Sequence, residues 1–208
     1  MIPEYFAYLT IIIGLVGAGL YIRGILYGTT RPNQVSWILW TIVPFVGAFV
    51  SYKSGISIPL LLSTIMAGMS PLLVVSVAFI TKKWYLKTSI FDIGCGLLSI
   101  TSIFIWITTA NGIVALTFAI LADLFAGIPT MVKSWHASET ENVVPYSFGI
   151  VNQIITFMII KDFSFMNIAF PIYFAVSNTI IILEVKRKFV SKLFKTNSLP
   201  ADNNSHNK

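Results

Sequence analysis

The sequence predicts an all-α membrane protein of seven transmembrane helices, grouped as three, one and three. Three observations predict it. Hydrophobic residues make up 56% of the 208 and charged residues only 11%, a balance far from that of a water-soluble domain. Seven apolar runs come close to or pass the about 20 residues that a helix needs to cross roughly 30 Å of hydrocarbon. Lysine and arginine sort onto one side of those runs.

The first run, Phe6 to Tyr27, follows MIPEY, which lacks the basic region of a cleavable signal, so this run is expected to stay as an anchor. The second, Val35 to Tyr52, opens behind Pro32, and the third covers Ile56 to Ile80. A fourth, Ile90 to Thr109, stands between two polar breaks. The fifth, Ile113 to Val132, carries Asp123 at its middle; the sixth, Val144 to Ile160, opens on Pro145; the seventh covers Met166 to Val185. None alternates with the period of a barrel strand, and the loops are short, so helices are the spanning element. Pro32 and Pro145 suit the first turn of a helix, where the missing N–H costs nothing.

Of the fourteen Lys and Arg, only Lys53 and Lys161 fall on one side of these runs; the rest fall on the other. Removing any interior run would scatter the later cations over both faces. Cytoplasmic loops retain such residues, so the N-terminus is expected outside and the C-terminus in the cytoplasm of a cell membrane. The net charge of +6 then reflects topology, and no nucleic-acid partner is expected. The tail from 187 to 208 begins basic, with Phe189, Val190, Leu193 and Phe194 interleaved. It suits either a short helix on anionic lipid or a plain cationic flank, with disorder expected from about Thr196.

An internal repeat divides the chain. Residues 1–81 form the first triplet, 82–110 a linker span and 111–186 the second triplet. In each triplet a helix end carries one cation (Arg23, Lys133), a polar loop follows, then a proline, then a serine with an aromatic behind it (Ser36-Trp37, Ser147-Phe148). The stretch IPTMVKSWHASETENVVPYSFG, Ile128 to Gly149, resembles the PQ-loop motif of the SWEET sugar transporters, the cystinosin-type exporters and the KDEL receptors. Pro129-Thr130 stands where that motif has Pro-Gln, Lys133 is its basic residue, and the first triplet has Gly19-Leu20 at the matching place. The resemblance extends over residues 1 to about 186. It implies two three-helix bundles that rock about a midplane site, with prolines as hinges.

Helix-interior prolines independently mark broken helices. Pro44, Pro129 with Thr130, and Pro171 are the candidate hinges, and Pro71 is a further interior proline; ordinary membrane helices carry such prolines too. Asp123 is costly at the bilayer centre, roughly 2.5–3.5 kcal/mol on translocon scales, so it should face the interior, protonated or paired. Asn152 and Asn178 reach similar depth, and the three can share one layer that would bind a hydroxyl-rich or zwitterionic solute. In the first triplet the candidates are Thr41 and Trp40, about 8 Å inside the span. Trp40 is either a platform for a sugar ring or, with Trp37, an interfacial anchor. Asp92 reads as interfacial, near Lys87, with a proton or gating role as the lesser alternative; Glu184, Glu139 and Glu141 read as structural, the last two in a solvated loop.

Enzyme chemistry finds no residues to carry it. Two histidines are too few for a di-iron centre, no histidine is embedded beside a serine nucleophile, and the seventh span has no lysine for retinal. Cys95 is alone and cannot form an internal disulfide. The expectation is a small-solute transporter for a sugar or an amino acid, with membrane lipids as neighbours, protons as a conceivable coupling ion and no cofactor. Homo-oligomers are compatible with it. A receptor or assembly protein of the same architecture is the alternative; a third reading makes Asp123 a packing group in a structural protein.

Overall fold

The computed structural model describes residues 2–53, 57–85 and 88–197, with side chains described as far as Arg187. The expected third-span start at Ile56, the cation Lys87 and the tail from 198 onward lie outside the described residues. Within them the chain is helical. A 3-10 turn, Glu4–Phe6, leads into α1 (Ala7–Tyr27), followed by α2 (Gln34–Lys53), α3 (Ile58–Thr81), α4 (Ile90–Thr108), α5 (Gly112–His136), α6 (Val144–Ile159) and α7 (Phe165–Asn197). A second 3-10 turn, Ser138–Thr140, precedes α6.

Local chemistry sets the ends. Gly28 closes α1 at φ 78°, a left-handed conformation that glycine adopts without a Cβ clash. Asn33 Oδ1 accepts from the backbone N–H of Ser36 and so caps α2. Ser89 and Asp92 form a reciprocal capping box at the start of α4. Pro145 occupies the first turn of α6. One expectation is corrected: α7 runs without a break through Asn197, so the basic segment is a continuation of the last helix and Thr196 is still helical.

Six of the helices are long and apolar enough to cross a membrane; α6, at 16 residues, is shorter. The surface is inverted relative to a soluble protein. Ile80, Ile90, Phe104 and Leu183 are largely exposed, while Ser99, Ser102, Thr130, Ser134, Ser177 and Asn178 are buried. This is the distribution of a helical membrane protein, in which lipid takes the large apolar side chains and helix contacts take small and polar ones.

The packing order differs from the chain order. α3 lies between α1 and α2, and α7 lies between α5 and α6. α1 packs on α6, α2 packs on α5, and α4 packs on α5 and α2. Among the described residues the backbones of α1 and α2 do not come close, nor do those of α5 and α6; α1 and α2 meet through large side chains, Tyr21 against Trp37. The buried cluster of Ala18, Tyr21, Ile25, Trp37, Val74, Val75, Ala78 and Trp84 fills the α1–α2–α3 contact near the end that carries Arg31 and Lys133. Gly17 admits Phe148 of α6 so closely that a Cβ there would sit 2.9 Å from the ring.

Candidate functional site

Asp123 is buried on α5, and its Oδ2 accepts a hydrogen bond from Tyr173 Oη of α7 at 2.7 Å. The neutral hydroxyl supplies the hydrogen bond that a carboxyl group needs in a helix interior. Asn178 is five residues along α7 from Tyr173. It is buried, its Nδ2 donates to the Phe174 carbonyl at 2.7 Å, and its amide fills the space left by Gly149 on α6. Asn152, three residues beyond Gly149, turns to α1 instead: Nδ2 reaches the Thr10 carbonyl at 3.4 Å, while Oδ1 is buried with no partner. Asp123, Asn152 and Asn178 thus turn to three different partners: Tyr173 on α7, Thr10 on α1, and for Asn178 the Phe174 carbonyl of its own helix with Gly149 of α6 beside it. No direct hydrogen bond links them. Tyr173 went unread in the sequence because an aromatic in FPIYFAV has no distinguishing spacing.

Trp40 points inward. Its ring lies 3.5 Å from where a Cβ on Gly127 of α5 would be, and edge-on to Tyr146 of α6 at 6.3 Å and to Trp37 at 5.6 Å. Trp37 is buried against Tyr21 at 4.4 Å, so the anchoring role in lipid headgroups fits neither indole. The indole N–H groups of both, with Thr130 Oγ1, Ser134 Oγ and Tyr146 Oη, are buried without a hydrogen-bond partner. Thr41 stands apart: its hydroxyl returns to the Trp37 carbonyl at 3.0 Å, and its own carbonyl faces Gly68 of α3.

Pro44, Pro71, Pro129 and Pro171 all lie within α-helices. At Pro129 a ladder donor is missing, and the next N–H, that of Thr130, is donated across to Ser36 Oγ of α2 at 3.1 Å. The helix interior at this point is therefore tied to a neighbouring helix. Pro44 and Pro171 have no such tie among the described hydrogen bonds.

Below this, both polar loops meet around a buried ion pair. Lys133 Nζ lies 2.6 Å from Glu141 Oε2, with side chains 1% and 0% exposed. The same ammonium donates to the Arg31 carbonyl and, at 3.2 Å, to that of Thr140. Glu141 Oε1 accepts from Tyr21 Oη at 2.7 Å and from the Asn142 N–H at 3.1 Å. Arg31 N–H donates to the Thr140 carbonyl at 2.9 Å. All three ammonium protons are engaged and both carboxylate oxygens accept, which is what makes such burial tolerable. Glu141 is therefore no solvated loop residue: the loop folds back over the helix ends and takes its carboxylate inside.

Beside the pair, a cleft of about 310 Å³ is lined by Asn33, Tyr85, Asp92, Pro129, Lys133 and His136 among others. Asp92 is spent on its capping box there. At the far end Glu4 meets Lys161 at 3.3 Å, an exposed pair that holds the N-terminal turn to the α6–α7 connection. No family model, no curated protein and no solved structure matches the chain.

Proposed function

We propose that this multi-pass membrane protein carries a small polar solute, a sugar or an amino acid, by alternating exposure of a site between two three-helix bundles. In this reading α1 to α3 form one bundle, α5 to α7 the other, α4 links them, and the end bearing Lys133 faces the cytoplasm. One observation carries it. Leaving aside α4, which among the described residues packs on α5 and α2 alone, exchanging helices one, two and three with five, six and seven leaves the packed pairs among those six unchanged: α1 on α3 becomes α5 on α7, α2 on α3 becomes α6 on α7, and α1 on α6 becomes α5 on α2. Parallel repeats related in this way are a recurring construction of transporters, with the site at the repeat interface.

The interface supplies fitting chemistry. Trp40 and Tyr146 offer aromatic faces, and Trp40 Nε1, Thr130 Oγ1, Tyr146 Oη and Asn152 Oδ1 offer hydrogen-bonding capacity that the protein leaves unused. Unmet buried polar atoms cost free energy in a purely structural interface. A hydroxyl-rich or zwitterionic solute would meet them.

The test is uptake of a panel of sugars and amino acids into proteoliposomes, with and without a pH gradient. Transport of one class that Asp123→Asn and Trp40→Ala both abolish supports the reading. No transport of any solute, together with a protein partner recovered by cross-linking, favours a receptor of the same architecture.

A further inference from the structure

We infer that Lys133, Glu141 and Tyr21 form a latch that closes the lysine-bearing end of the protein, and that this end opens only when the Tyr21–Glu141 contact breaks. The inference rests on the two-bundle reading and adds to it the residues of one gate.

The two charges come from one half of the chain, and what they hold comes from the other. Lys133 ends α5 and Glu141 precedes α6, whereas Tyr21 belongs to α1 and the Arg31 carbonyl to the loop between α1 and α2. The Arg31 N–H to Thr140 carbonyl bond ties the two loops directly. Three hydrogen bonds thus cross between the halves at one place: through a phenol, an ammonium and a backbone amide. The ion pair itself lies wholly within the second half, only eight residues apart in the chain. Opening this end therefore leaves Lys133 and Glu141 together and charged, with no lone ion created. Of the pair's hydrogen bonds it removes only those to Tyr21 and Arg31, which water can replace. A buried pair that stays paired during opening can release a hydrogen-bonded partner at small cost, whereas splitting the pair would be prohibitive.

Behind the latch stands Ala18, one helical turn deeper than Tyr21 on the same face of α1 and almost fully buried. Cys95, on α4, is buried elsewhere and is the only native thiol. An Ala18→Cys protein therefore carries one reporter behind the latch and one for general unfolding. The experiment labels this protein in proteoliposomes of a single, protease-verified orientation with a membrane-impermeant maleimide, supplied on each side in turn, and reads both cysteines by peptide mass spectrometry. In the parent, residue 18 should be protected. Adding Tyr21→Phe, which removes one hydroxyl and leaves both charges in place, should raise labelling at residue 18 by roughly 5- to 10-fold from the side of Lys133 alone, with Cys95 still protected. Glu141→Gln should raise it further.

Unchanged protection of residue 18 in Tyr21→Phe, with Cys95 also protected, overturns the latch. So does labelling that rises equally from both sides. If Glu141→Gln exposes Cys95 as well, that variant has unfolded and Tyr21→Phe decides. Because the readout is accessibility, a protein that transports nothing in uptake assays can still show or lack the latch, and the two failures are distinguishable.

Discussion

Tyr173 and Asp123 face each other from α7 and α5, hydroxyl to carboxyl, at 2.7 Å in the interior of the helix assembly. This contact makes a buried carboxyl group tolerable, and it ties together two of the helices that line the proposed site. Tyr173→Phe should therefore destabilise the protein by about 1.5–3 kcal/mol, the range for a hydrogen bond to an ionisable group left unmade. Asp123→Asn keeps an acceptor for the same hydroxyl and should cost less. Thermal unfolding in detergent measures the order; equal losses would mean that the contact is incidental.

The Lys133–Glu141 pair calls for a double-mutant cycle. Lys133→Met strands a buried carboxylate and should cost about 3–5 kcal/mol, whereas Lys133→Met with Glu141→Leu should cost less than Lys133→Met alone. Denaturant unfolding checks this. Simple addition of the two single effects would show that the charges do not sense each other.

Gly149 offers a test of how the Asn178 amide is placed. A Cβ at this position would lie 2.9 Å from Asn178 Oδ1 and 3.1 Å from Nδ2, so Gly149→Ala must displace the amide or part α6 from α7. The expected cost is about 1–3 kcal/mol, as for other overpacked contacts. Gly149→Ala with Asn178→Ala should recover most of the stability but none of the transport. Melting temperature and uptake, measured on the same preparations, separate the two effects.

A fourth expectation concerns α6. Its 16 residues make it about 24 Å long, short of roughly 30 Å of hydrocarbon. Thinning of the bilayer or snorkelling of flanking residues closes such a gap. With seven crossings, His136→Cys and Phe163→Cys, each read in a Cys95→Ser background, label from opposite sides of the membrane. Labelling from the same side would leave six crossings and undo the proposed orientation.

Much of the fold was legible because hydrophobic length and cation placement act along the chain. Pro145 marks a helix start by local backbone chemistry, whereas Pro32 falls just outside α2, ahead of the Asn33 cap, and each of the seven apolar runs coincides with a helix. What stayed hidden acts across the chain. Tyr173 looks like any lipid-facing aromatic until α7 is placed beside α5. Glu141 sits among Ser, Glu, Thr and Asn, a composition that reads as a wet loop, and only the fold of that loop onto Tyr21 and Lys133 puts it inside. Trp37 and Trp40 have the spacing of interfacial anchors; the glycine at 127 that admits Trp40 lies 87 positions away. The layer of Asp123, Asn152 and Asn178 was drawn from depth alone, and depth carries no information about which way each side chain turns around its helix.

The last helix has a mechanical implication. At 33 residues α7 is a rod about 50 Å long, well beyond the thickness of the hydrocarbon it crosses. Its last third must stand clear of the acyl chains as an arm, fixed by one continuous backbone to the segment that holds Tyr173 and Asn178. A small swing of that segment is magnified at the arm's tip, where a fluorophore or a passing protein could feel it.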